Sequence, residues 1–189
     1  MSVRDALHNS IDQSLRLLPK LAELGEPLER LGAALMECWG RRGKLLTAGN
    51  GGSMTGAMHL AEELSVRYKR NRRALAAISL CDPSAMSCSG NDFGFDSIFE
   101  RQVEALGNPG DVLIVMSTSG NSVNLIRAVD RANAQELTTV GFLGGDGGEL
   151  AKRCDINLIV PSPLTARIQE GHDLLFHSLC EWIDEQVGD

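Results

Sequence analysis

"GDVLIVMSTSGNSVN", residues 110–124, decides the fold. Five apolar residues, Val112–Met116, run without a polar break and then give way abruptly to serine, threonine, glycine and asparagine. An uninterrupted apolar run of this length reads as a strand buried on both faces, the condition of a parallel sheet covered by helices. The polar turn that follows it reads as the loop into a helix over 121–134.

The same texture recurs outward in both directions. "KLLTAG" (44–49), "ALAAISL" (74–80), "LTTVGFLGG" (137–145) and "DINLIVP" (155–161) are further strand-length apolar runs, and helix-like segments lie between them at 53–68, about 95–106, 121–134 and 147–153. This βαβα alternation predicts an α/β domain with a five-stranded parallel sheet and helices on both faces. Residues 1–42 read as two N-terminal helices, with Leu7, Ile11, Leu18 and Leu21 in the first and Leu28, Leu31, Leu35 and Cys38 in the second, separated by Gly25–Pro27. Such helices either cover their own sheet or pack on another subunit, and the pattern serves both. Residues 43–163 form the α/β core. Residues 164–189 form a long amphipathic helix with Ile168, Leu175, Leu179 and Trp182 on one stripe.

The chain has 189 residues, 43% hydrophobic and 23% charged, which suits one globular domain. A net charge of −7 argues against a nucleic-acid binder. It leaves an anionic substrate open, because backbone donors bind phosphate on acidic proteins too. No apolar run approaches the ~20 residues of a membrane span, and the first residues lack the apolar core of a secretory signal. Five cysteines with no C-x-x-C pair read as reduced thiols of a cytoplasmic protein.

In an open parallel sheet, ligands bind beyond the carboxyl ends of the strands. Two turns lie there: "GNGGS" (49–53) and "STSGNS" (117–122). Glycine frees backbone N–H groups, helix N-termini add partial positive charge, and Ser53, Ser117, Thr118, Ser119 and Ser122 add short neutral donors. Together they describe a phosphate cradle made without lysine; neither turn has the dinucleotide or Walker pattern. On the helix after the first turn, His59 and Glu63 are spaced i, i+4 and share a face, as metal-binding or simple surface pairs do. Glu62 points elsewhere. On the last helix, Gln169 or Glu170 roughly shares a face with His177, while His172 falls on the apolar stripe and reads as a core or interface histidine.

Taken together, "GNGGS…AMHLAEELSVRY", "GNDFGF", "GDVLIVMSTSGNSVN", "GGDGGEL" and "ARIQEGHDLLFH" resemble the phosphoheptose isomerases of the sugar-isomerase (SIS) superfamily, over about Gly43 to His177. "STSGNS" marks the superfamily; "RIQE-x-H-x4-H" with "H-x3-E" is the more specific signature. The resemblance implies a Rossmann-like three-layer sandwich and a homotetramer whose sites form between subunits. It implies one Zn²⁺ per subunit on His59, Glu63, Gln169 and His177. It implies a phosphorylated seven-carbon sugar held by Asn50, Gly51, Gly52, Ser53, Glu63, Arg67, Asn91, Asp92, Ser117, Thr118, Ser119, Ser122 and Gln169, with Glu63 and His177 as the acid–base pair. The implied reaction converts sedoheptulose 7-phosphate to D-glycero-D-manno-heptose 7-phosphate through an enediol. The alternative is a non-catalytic SIS protein that binds a sugar phosphate or a partner such as a replication initiator; that relative lacks the acid–base pair present here. The chain departs from the family's usual "GNGGS-x-x-D-A-x-H" at one position, where Gly56 stands for the aspartate.

Overall fold

The apolar runs pair into one parallel sheet in the computed structural model, which describes residues 1–188. Its strands are β1 (Leu45–Gly49), β2 (Ala77–Ser79), β3 (Val112–Ser117), β4 (Thr138–Gly144) and β5 (Ile156–Val160), in the order β2-β1-β3-β4-β5. β3 is central, with Ala48 paired to Val115 on one side and Met116 to Phe142 on the other. All of β3 is buried. Val112, Ile114 and Met116 pack into one layer with Leu60, Phe142 and Phe176, while Leu113 and Val115 pack into the other with Phe99, Leu125 and Val129. Successive side chains of a strand point to opposite faces, so a strand covered twice must be apolar throughout.

The helices are α1 (Val3–Leu21), α2 (Gly25–Gly40), α3 (Gly52–Ser65), α4 (Pro83–Phe93), α5 (Glu100–Leu106), α6 (Val123–Ala134) and α7 (Thr165–Gln186). α1, α2, α3 and α7 supply one apolar layer, and α5 and α6 the other. The result is a three-layer α/β sandwich. From the middle of the sheet the chain crosses to β2 after β1 and to β4 after β3. These connections leave in opposite directions and open a crevice between the carboxyl ends of β1 and β3. Both glycine-bearing turns stand at its edges.

Several local expectations are corrected. The 74–80 run yields only the three-residue β2, whose Ile78 is exposed, because β2 is an edge strand covered incompletely. The helix expected near 95–106 is a 3₁₀ turn at Phe95–Ser97 followed by α5. α4 was not foreseen from apolar spacing; it starts at a capping signal, Asp82 accepting from the Ala85 amide at 2.7 Å with Pro83 in the first turn. The 147–153 segment shrinks to a 3₁₀ turn at Leu150–Lys152. Trp182 leaves the buried stripe of α7 and is 40% exposed. The apolar positions of α1 divide: Leu17 and Leu21 are buried, whereas Leu7, Ile11, Leu15 and Leu18 face outward.

A buried ion pair fixes the ends of α3 and α7. Arg72 Nε donates to Asp184 Oδ1 at 2.8 Å, and its remaining nitrogens donate to the carbonyls of Glu63, Leu64 and Arg73. It thereby caps the carboxyl end of α3 and holds the backbone that carries Glu63.

Candidate active site

The turn after β1 begins the site. Gly51, at φ +55 and ψ −123, caps α3 in a conformation costly to any residue with a Cβ. The amides of Ser53 and Met54 fold back onto the Asn50 carbonyl at 3.0 and 3.3 Å. Ser53 is buried, while Gly51 and Gly52 are exposed at the mouth of the crevice.

The turn after β3 is self-braced. Gly120 has φ +66, and a Cβ there would stand 2.0 Å from the Gly147 carbonyl oxygen, so only glycine fits. The Ser117 hydroxyl accepts from the Gly120 amide at 3.1 Å and the Ser119 hydroxyl from the Asn121 amide at 3.3 Å. Each keeps its own O–H proton to donate. The hydroxyls of Thr118 and Ser122 make no hydrogen bond among the described residues, and α6 begins immediately behind them. Four donors over a helix N-terminus suit the oxygens of a phosphate.

Asn124 joins the two turns and was not singled out from sequence, although it closes the quoted β3 motif. Its amide exchanges two hydrogen bonds with Asn50, at 2.9 and 3.0 Å, and it is buried. Asn50 therefore braces the loops through its side chain. The signal was the second asparagine after the serine-rich turn, at a helix position that otherwise favours no amide.

Beyond the first turn, α3 and α7 bring three of the four predicted metal donors together. His59, Glu63 and His177 each offer a ligand atom, all within 4.8 Å of one another. His59 Nε2 lies 3.1 Å from Glu63 Oε1. The His59 and His177 rings meet edge to face at 5.1 Å, Phe176 supports both from below, and Tyr68 stacks on His177 at 5.9 Å. Atoms bound to one zinc ion at about 2.0–2.2 Å stand roughly 3–4 Å apart, so small side-chain rotations close this set around a cation. Two imidazoles and a carboxylate are the donor chemistry zinc takes, and the residues fit it. Cys180 lies near Glu63 but does not join. Burial, with the Glu63 charge adding to it, pushes its thiol up to about 12 and keeps it protonated.

Gln169, in the first turns of α7, reaches the turn after β1. Its amide rests on Gly52, where a Cβ would come within 2.5 Å of Nε2. Gly52 stands seven residues before His59, about 10 Å of helix rise. Asp173 comes next along α7; partial burial raises its carboxyl above the ordinary value, with His177 and His59 pulling the other way. Arg67 is exposed just past α3. Asn91 and Asp92 sit on the last turn of α4, exposed and bonded to each other at 2.7 Å, with no hydrogen bond to the trio among the described residues. His172 is buried in the core, its Nε2 3.0 Å from the Leu143 carbonyl, and burial pushes it down to about 4. It is neutral and structural.

The SIS domain family matches residues 11–144. A phosphoheptose isomerase of Campylobacter jejuni is 48% identical over 182 residues, covering 94% of this chain and 98% of that one. The solved phosphoheptose isomerase GmhA of Neisseria gonorrhoeae superposes with a TM-score of 0.92 at 40% identity, over 97% of this chain and 100% of that one. A phosphoheptose isomerase structure from Francisella tularensis gives 0.94 at 36% identity, over 98% and 100%.

Proposed function

From the premise that this chain belongs to the phosphoheptose isomerase family of SIS-domain proteins, and is an aldose–ketose isomerase of a phosphorylated heptose, we propose that it converts sedoheptulose 7-phosphate to D-glycero-D-manno-heptose 7-phosphate through an enediol, with zinc at the site. One observation carries the reading: His59 and Glu63 from α3 meet His177 from α7 beside the crevice that the hydroxyl-rich turn closes.

The phosphate rests on Ser117, Thr118, Ser119 and Ser122, far along the sugar from the reacting carbons. Its binding energy therefore fixes orientation rather than joining in bond-making. Asn50 to Ser53, Arg67, Asn91, Asp92 and Gln169 serve the sugar hydroxyls. Glu63 takes the proton from C1 of the open-chain ketose. The C–H electron pair becomes the C1–C2 double bond, and the C2 carbonyl oxygen gains a proton from His177. Return of a proton to C2, with loss of the proton from the C1 hydroxyl, leaves the aldehyde. An aligned acid or base of this kind contributes about 10²–10⁴-fold. His59, Glu63, Gln169 and His177 would hold the zinc ion, which when bound supplies Lewis-acid polarisation of the carbonyl.

The reading includes a homotetramer with sites between subunits. Leu7, Ile11, Leu15 and Leu18 form an outward apolar face on α1, with exposures of 44–62% that a second copy would cover. Among the described residues no helix is long and apolar enough to cross a membrane, and five unpaired cysteines suit a reducing cytoplasm.

The test is incubation with sedoheptulose 7-phosphate, with and without a chelator, beside the Glu63→Gln variant and a light-scattering mass. Aldoheptose phosphate should form, chelator should suppress it, and Glu63→Gln should lower turnover by at least about 10²-fold with the fold intact. Near-parental turnover in that variant removes Glu63 as the base. Full activity in chelator removes the metal, and a monomeric mass removes the shared site.

A further inference from the structure

Gly56 leaves an opening on the face of α3 that carries His59, and a carboxylate from the other helix lies against it. A Cβ on residue 56 would stand 3.8 Å from Asp173 Oδ1, with Met116 Sδ the nearest other atom at 3.3 Å. Gly56 precedes His59 by about one turn of α3, and Asp173 precedes His177 by about one turn of α7. Side chains on a helix lean toward its N-terminus, so both positions lie beside the imidazoles that follow them. Of the other acids of α7, Glu170 pairs with Arg167, Glu181 with Lys69 and Asp184 with Arg72, and Glu185 lies two turns beyond His177. Among the described residues Asp173 has no hydrogen bond or ion pair, and it stands outside the group of donors within 4.8 Å of one another. It is placed to act on the ligands rather than as one of them.

We propose that Asp173 is the positioning carboxylate of the imidazole pair, presenting from α7 the negative group that an aspartate at position 56 would present from α3. A carboxylate that accepts the ring N–H opposite the metal-binding nitrogen fixes the tautomer and orientation of a histidine ligand. Gly56 makes the exchange possible, because the space vacated on α3 is the space Asp173 faces. The role rests on the zinc reading above.

The probe is Zn²⁺ alone, its affinity for the full chain read by competition with a chromophoric chelator, together with the visible spectrum of the Co²⁺-loaded protein. Asp173→Asn keeps the side-chain shape; Asp173→Ala removes it; Gly56→Asp with Asp173→Ala returns a carboxylate from α3. Both single variants should bind Zn²⁺ about 10- to 100-fold more weakly and shift the Co²⁺ bands, with the urea midpoint of the metal-free protein unchanged. The double variant should recover most of the affinity. Parental Zn²⁺ affinity in both single variants overturns the positioning role and leaves the zinc reading standing. Absence of recovery in the double variant overturns the exchange with position 56. A parent chain that binds no Zn²⁺ overturns both readings.

Discussion

Gly52→Ala separates the site from the scaffold that carries it. Residue 52 opens α3, and alanine in a helix is ordinarily more favourable than glycine by up to roughly 0.5–1 kcal/mol. The added Cβ would stand 2.5 Å from Gln169 Nε2 and 3.1 Å from its Cδ and Oε1. Relaxed contacts between such atoms begin at about 3.5 Å, so the amide must retreat by about 1 Å. Gln169 is flexible, and leaving its preferred rotamer costs about 0.5–1.5 kcal/mol, which the helix gain largely offsets. Stability should therefore change by less than about 1 kcal/mol. Function should not be spared, since a misplacement of about 1 Å can cost ~10²-fold in rate, or about 2.7 kcal/mol in the barrier. The assay pairs initial rates of sedoheptulose 7-phosphate conversion with urea unfolding followed by tryptophan fluorescence. Activity within about threefold of the parent would show that Gln169 has no part in the reaction, against the loss expected from misplacement. A stability loss well above about 1 kcal/mol would show that backbone rather than the amide had moved.

Two further outcomes are expected. Ser119→Ala combined with Ser122→Ala removes two donors from the self-braced turn and should raise KM with little change in kcat; an unchanged KM in steady-state kinetics would place the phosphate elsewhere. His172, held neutral by burial with a pKa pushed down to about 4 from the ordinary 6.5, lets the unfolded chain take up a proton first as pH falls. Its stabilising contribution is complete above pH 6.5 and is lost progressively toward about 4. Urea midpoints measured across that range should decline in the parent, and the decline should flatten in His172→Gln, which keeps a donor for the Leu143 carbonyl.

The sheet was legible because β1, β3 and β4 are buried almost throughout, which favours nearly continuous apolar runs; the buried Thr47 and Thr139 are tolerated because their hydroxyls are hydrogen-bonded. β2 was over-read for the opposite reason: an edge strand needs few paired residues, and apolar content alone does not say where pairing stops. α4 was missed because its signal is a cap, Asp82–Pro83, rather than a periodic apolar face. The i, i+4 spacing of His59 and Glu63 was visible locally. Their meeting with His177, more than a hundred residues on, depends on α3 and α7 lying side by side, which no local pattern encodes. Asn124 and Arg72 escaped notice because a bracing amide and a capping guanidinium announce themselves only through their partners. The outward apolar face of α1 was half read: the spacing showed a stripe, and only the packing showed that Leu7, Ile11 and Leu18 turn away from the core while Leu17 and Leu21 turn in.

The reciprocal amide pair of Asn50 and Asn124 has an evolutionary corollary. Each carboxamide donates one hydrogen bond and accepts another, so altering either alone leaves the other with an unmatched donor or acceptor in a partly buried place. Viable drift at these two loci must therefore be concerted, although 74 positions of chain separate them. The same knot ties the end of β1 to the start of α6, so the two lips of the crevice keep one spacing.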